Sequence, residues 1–239
     1  LTEAAVRAVD FLRHSLLVNG RLPATYKDGR ARLNGYLDDY AFLLDAVVEL
    51  LQTRWNTEHL RFAIQLADSL LEHFEDRDHG GFWFTSHDHE VLLHRSKPLA
   101  DEAVPSGNGV AAFVLARLGY LLVETRYLDA AERTLRAGWQ GMQEFPHGHC
   151  SLLNALDEYL QPPELIIVRG DLAEASVWAA TLGATYNPRR MVFAIPGDAA
   201  DLPAALATKA AAPAGVLAYV CRGTVCEGPA ASLEALTSL

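Results

Sequence analysis

One stretch constrains this chain more than any other. Between residues 107 and 124, Val110, Ala111, Phe113, Val114, Leu115, Leu118, Leu121 and Leu122 leave almost no polar face. A helix that is apolar all round has to be buried all round, so the fold must bring several other helices against it. The flanking sequence supplies them. Val6, Val9, Leu12 and Leu16 share one helical face, and after a Pro-containing connection Tyr36, Tyr40, Leu44, Val47 and Leu51 form a second stripe, with Asp38, Asp45, Glu49 and Gln52 on another side. A third helix starts with Asn56 or Thr57 as N-cap, buries Leu60, Ile64, Ala67, Leu71 and Phe74, and exposes Glu58, Asp68 and Glu72. Residues 127 to 144 are amphipathic, with Leu128, Ala131, Leu135, Trp139 and Met142 opposite Asp129, Glu132, Arg133, Arg136 and Gln140, and a shorter helix near 149 to 160 ends at Pro162-Pro163. Sheltered helices alternating with half-exposed ones predict two layers, with the helices near 36–53 and 107–124 side by side and their polar starts aimed into a shared basin.

Two segments depart from the helical rhythm. Gly80-Gly81-Phe82-Trp83-Phe84, followed after His87-Asp88-His89-Glu90 by Val91-Leu92-Leu93, reads as a small β-hairpin on a long connection. After Pro163 the character changes: Glu164-Leu165-Ile166-Ile167-Val168, Met191-Val192-Phe193-Ala194-Ile195 and Val216-Leu217-Ala218-Tyr219-Val220 read as strands, with a helix after Asp171. The expected division is 1–162, helical hairpins, and 163–239, a small α/β appendage with a closing C-terminal helix. The fold class is mainly α.

Charge and composition exclude several function classes. The 30 acidic and 20 basic residues give a net charge of -10, and the basic ones are scattered, so no footprint for a nucleic-acid backbone exists. No apolar run approaches the roughly 20 residues that span a bilayer, and Leu1-Thr2-Glu3-Ala4 lacks the pattern of a signal peptide. Three cysteines are too few for the disulfide framework of a small secreted protein, so a cytoplasmic, reducing setting is expected. A first residue already inside a helical pattern is expected of a chain cut from a longer one.

The residues suited to chemistry cluster in Gly35-Tyr36-Leu37-Asp38-Asp39-Tyr40-Ala41, Arg95-Ser96-Lys97-Pro98 and Asp101-Glu102-Ala103-Val104-Pro105-Ser106-Gly107-Asn108. Each acidic or amide group there stands at or before a helix start, so capping explains it as well as chemistry does: Asp38 or Asp39 favoured by the macrodipole, Ser106 as N-cap. His147-Gly148-His149-Cys150 is a weak metal motif with no second ligand cluster at an established spacing, and no metal or other cofactor is expected. His73, His79, His87, His89 and His94 read as a solvated, locally bonded set. Cys221 and Cys226 have four residues between them, against two in a thioredoxin active site, and either hold a disulfide or merely pack; a structural role is favoured over a redox one.

Five motifs carry a resemblance that runs in order over nearly the whole chain. Gly35-Tyr-Leu-Asp-Asp-Tyr-Ala-Phe42, Asp76-Arg-Asp-His-Gly-Gly-Phe-Trp83, the pair Arg95 and Lys97, Asp101 with Pro105-Ser106-Gly107-Asn108, and Cys221, Cys226 and Pro229 together resemble the thioredoxin-domain-containing proteins related to spermatogenesis-associated protein 20. The resemblance implies a partial (α/α)6 toroid of helical hairpins, six-hairpin glycosidase-like and similar to N-acylglucosamine 2-epimerases. It also implies that the first half of the ring and a thioredoxin-like domain belong to the protein but not to this chain. The implied function is binding or processing of a sugar or sugar-like small molecule in the toroid cleft, by an epimerase, isomerase or glycosidase. Asp38, Asp39 and Asp101 are then the catalytic candidates and Tyr40, Trp83, Arg95, Lys97, Ser106 and Asn108 the substrate-binding ones, because such chemistry needs carboxyl groups as acid and base and aromatic surfaces for a sugar ring. The alternative is a non-catalytic scaffold presenting a protein or peptide to the thioredoxin-like domain.

Overall fold

The computed structural model describes residues 1–237. Helix α1 (Thr2–Phe11) runs on through a π-helical stretch, Leu12–Leu16, into strands β1 (Pro23–Lys27) and β2 (Arg30–Asn34). Then come α2 (Leu37–Thr53) and α3 (Thr57–His73), and after a long connection α4 (Gly107–Leu122), α5 (Thr125–Glu144) and α6 (Cys150–Leu160). The last third alternates: β3 (Glu164–Gly170), α7 (Leu172–Gly183), β4 (Arg190–Pro196), α8 (Ala204–Ala207), β5 (Val216–Arg222), β6 (Val225–Cys226) and α9 (Leu233–Thr237). The protein is mainly α, with a small mixed sheet at its end.

The expected stripes are the ones that bury. Tyr40, Leu44, Val47 and Leu51 of α2 are wholly enclosed, as are Leu60, Ala67 and Phe74 on and just after α3. Helix α3 begins where its cap predicts: the Asn56 side chain accepts from the N–H groups of Glu58 and His59 at 2.8 and 3.3 Å, an arrangement worth about 1 kcal/mol. Helix α4 is sheathed by α2, α5 and α6, and of its sixteen residues Ala111, Ala112, Val114, Leu115, Ala116 and Leu118 have no exposure at all.

Helices α2, α4 and α6 lie side by side and point the same way, because both ends match. At the starts, a Cβ on Gly107 would stand 2.2 Å from Asp38 Oδ1, and one on Gly109 would stand 2.0 Å from Ser151 Oγ, so only glycine permits these approaches. At the far ends, Arg117 of α4 donates to Glu49 of α2 at 2.7 Å and to Glu158 of α6 at 2.6 Å. Behind them, α3 and α5 are joined through Tyr127 Oη, which donates to Asp68 at 2.5 Å, and through Arg133, which pairs with Glu75.

The sheet has the order β4-β3-β5-β6, with β3 parallel to β4 and antiparallel to β5. Alternation along its strands splits the side chains between two cores. Leu165, Ile167, Met191, Phe193, Ile195 and Cys221 join the helical core, whereas Ile166, Val168, Val192, Val216, Ala218 and Val220 face α7 and Leu236. The sheet layer therefore shares its core with the helices rather than hanging beside them.

Two local expectations are corrected. No hairpin forms across 80–93: apart from one bridge between Glu75 and Phe82, the segment is turns and bends. Its ordering comes from side chains instead, as described below. The hairpin stands earlier, as β1 and β2, where the Pro-containing connection was expected. Asp28 and Gly29 form its turn with φ of 53° and 73°, the positive values that a two-residue hairpin loop requires. Among the described residues no helix is long and apolar enough to cross a membrane.

Candidate functional site

The three parallel helix starts gather most of the candidate residues, and the structure sorts these into those already engaged and those left free. Tyr40 is fully enclosed, and its hydroxyl accepts the Leu22 N–H at 2.7 Å, so it is a core residue that fastens the chain ahead of β1 to α2. Asn108 is fully enclosed too. Its Oδ1 accepts from Phe82 N–H at 2.6 Å, and its Nδ2 donates to the carbonyls of Phe82 and Pro98 at 2.9 and 2.7 Å. It clamps the long connection onto α4, and like Tyr40 it is enclosed by its own chain.

Lys97 serves the same connection. Its Nζ donates to Asp76 Oδ2 at 2.6 Å and to the Gly80 carbonyl at 2.8 Å, beside two glycines with positive φ. Burial alone would push the Asp76 carboxyl upward, but Lys97 and the N–H groups of His79 and Asp78 outweigh it and hold the pKa at about 2. The half-buried ring of Trp83 carries Lys97 Nζ at 4.6 Å and the Arg95 guanidinium at 5.0 Å from its centroid, so the expected sugar platform is already faced by two cations. Arg95 also donates to the Thr85 carbonyl.

Among the acids, Asp39 accepts the Tyr36 N–H at 2.8 Å and caps α2. Asp101 joins two helix starts: its Oδ1 accepts the Ser106 N–H at 2.8 Å and the Ser151 hydroxyl, and its Oδ2 accepts the Ser151 N–H at 2.9 Å. Ser106 is the N-cap of α4, accepting the Gly109 N–H at 3.0 Å. Burial pushes the Asp101 carboxyl upward, but its donors, together with the Cys150 N–H, draw it below the usual carboxylate range. Asp38 differs. Its Oδ1 is buried without a hydrogen-bond partner, and burial, helped by the Asp39 charge, raises its pKa.

One residue that sequence reasoning did not single out completes the picture. Asp45, two turns beyond Asp38 on the same helix, also has a buried Oδ1 without a partner. Burial, reinforced by Glu49 and opposed by Arg117, lifts its pKa to about 6. It lines a hollow of about 440 Å³ with Asp101, Val104, Phe113, Cys150 and Asn154, open to solvent beside His147. The signal was present: Asp38 and Asp45 are seven residues apart, a helical repeat that sets them on one face of α2.

In this hollow two carboxyl groups have opposite environments, Asp45 raised by burial and Asp101 lowered by its donors. Such a divergence separates a group that exchanges protons near neutrality from one that stays charged. The histidine-cysteine motif is divided: His149 is buried with Nδ1 2.9 Å from the Phe145 carbonyl, while Cys150 is an exposed free thiol. Among the described residues no group of three or more His, Cys, Asp or Glu converges as a metal site. Cys221 and Cys226 are bonded to each other across β5 and β6, one buried and one exposed.

No family model matches the chain. It is 26% identical to spermatogenesis-associated protein 20 of Homo sapiens over 207 residues, which cover 82% of this chain and 26% of that protein. The Rattus norvegicus protein of the same name is 28% identical over 171 residues, 69% of this chain and 21% of the relative. An uncharacterized protein of Caenorhabditis elegans is 23% identical over 99% of this chain and 34% of its own length. The chain thus spans about a quarter of the length of the mammalian relatives it matches. It is a distant homologue of spermatogenesis-associated protein 20.

Proposed function

We propose that the hollow over α4 binds, and in the whole protein processes, a sugar or sugar-like molecule, with α2, α4 and α6 forming part of the inner wall of an (α/α) ring. The observation that carries this reading is the pairing of Asp45 and Asp101 in one hollow with their pKa values driven apart. Asp45 is the proton donor and acceptor, a role that asks for a pKa near the working pH. Asp101 holds a fixed negative charge suited to a partly positive transition state. Val104, Val110 and Phe113 give the apolar surface against which a sugar ring packs.

Titration calorimetry with hexoses, N-acetylhexosamines and disaccharides tests the reading directly. Saturable binding at millimolar sugar is expected, weakened at least tenfold in Phe113→Ala. The affinity should change as the pH crosses about 6, where Asp45 exchanges its proton, and this dependence should vanish in Asp45→Asn. Absence of any saturable heat at millimolar concentrations would sink the proposal.

A further inference from the structure

A second hollow, of about 800 Å³, lies along the free margin of the sheet, between the end of α2 on one side and α7 on the other. Its floor is β4, the margin of the sheet, which is bonded on one side only, to β3. The bonds that bracket this parallel pair fix its phase: Glu164 N–H donates to the Arg189 carbonyl at 2.7 Å, and Gly197 N–H to the Gly170 carbonyl at 2.8 Å. With the two-residue period of a ladder, Met191, Phe193 and Ile195 turn their main-chain groups toward β3, and Val192 and Ala194 turn theirs outward. Among the described residues no strand meets those outward N–H and C=O groups.

The other margin is treated differently. Beyond β5 lie β6 and a bridge between Ala218 and Ala230, with Glu227 N–H donating to the Val220 carbonyl at 2.8 Å. On β4 the charge and the proline stand only at the ends, Arg190 and Pro196, while no charge interrupts Met191 to Ile195 and no bulge turns the strand aside. Its margin lies open at the bottom of a groove. Short side chains of α7, Ser176, Ala179 and Gly183, leave the groove deep on one wall. On the other, Trp55 is held edge-on to Phe193 with centroids 6.1 Å apart.

Charge restricts what fits. Glu49 is held by Arg117 at 2.7 Å and Arg190 by Glu164 at 2.6 Å, whereas Arg54, exposed at the groove, makes no ion pair among the described residues. We propose that this groove binds an extended segment of another protein, which adds to the sheet beside β4 through Val192 and Ala194, sets small or apolar side chains toward α7 and places a carboxylate opposite Arg54. Main-chain bonds then supply affinity, and the α7 wall and Arg54 supply selectivity.

The test begins with a display library of random ten-residue peptides selected on the full chain. An enriched peptide, labelled for fluorescence anisotropy, is expected to bind with micromolar affinity and to slow hydrogen exchange of the Val192 and Ala194 amides at least tenfold. Methylation of alternate peptide nitrogens should weaken it at least tenfold, as should Ala194→Pro. That variant removes an outward N–H without touching the β3 ladder, and unchanged circular dichroism checks its fold. If it does not fold, the methylated peptide makes the same comparison. Arg54→Glu should weaken an acidic peptide several-fold. The proposal is overturned if no peptide is enriched, or if affinity ignores peptide methylation. It is also overturned if the two amides are already protected in the free chain, concentration-dependently by a second copy or concentration-independently by the chain itself.

Discussion

Asp45 shows how one residue can be at odds with the fold that holds it. Its pKa rises from 3.8 to about 6 because burial, and then Glu49, disfavour its charge. Between these two values the folded chain holds a proton that the unfolded chain has released, so stability is complete below about pH 4 and falls as the pH climbs through 6. The cost at pH 7 is up to about 3 kcal/mol. Asp45→Asn should recover about 1–3 kcal/mol at pH 7 and almost nothing at pH 4, as urea unfolding at the two values would show. Asp76 is the reverse case, a carboxylate held at about 2 by Lys97. Lys97→Ala leaves it buried without its main partner and is expected to cost about 2–4 kcal/mol at neutral pH. Here the sequence was only half legible. The residue types at the helix starts are readable, but whether an acid caps, pairs or stays free depends on distances that no spacing encodes.

Secondary-structure elements were legible where one face had to be buried and illegible where side chains replaced that pattern. The five helices from α2 to α6 follow their apolar stripes, except that Trp139 of α5 stays half-exposed at the end of its stripe. Gly80-Gly81-Phe82-Trp83-Phe84 has the aromatic composition of a strand, yet Asn108 occupies the Phe82 main-chain groups that a partner strand would need. The true hairpin has mostly exposed side chains, so no alternation marks it; its signal is the Asp28-Gly29 turn alone. At the sheet's far margin, the bond between Cys221 and Cys226 closes a loop with a sequence separation of 5. Constraining so short a loop contributes about 2 kcal/mol. Reduction should lower stability by that amount and speed hydrogen exchange around β6, while leaving α2 to α6 unchanged; an equal loss of protection in the helices would refute this localisation.

For the molecule as a whole, the division at residue 163 marks a change of architecture and not a break in the core. Arg117 spans it, reaching Glu49, Glu158 and the Pro188 carbonyl at 3.0 Å. Glu158 is 4% exposed, so Arg117→Ala would strand a buried charge and cost about 3–5 kcal/mol. Because the sheet's inner face belongs to the helical core, calorimetry should record one transition in the parent chain and in this variant, at a lower temperature in the latter. Two separate transitions would show that the layers are independent. This continuity was hidden in the sequence, where β-branched runs look the same whichever neighbour buries them.

The sheathing of α4 also bears on how the chain is made. Synthesis proceeds from the amino end, so α4 emerges from the ribosome after α2 and before α5 and α6 have emerged. At roughly 5–20 residues per second, the stretch from Leu122 to Leu160 takes about 2–8 s to follow. For that interval a nearly all-apolar helix stands with much of its cover unmade, and it is there that a nascent-chain chaperone would find its grip.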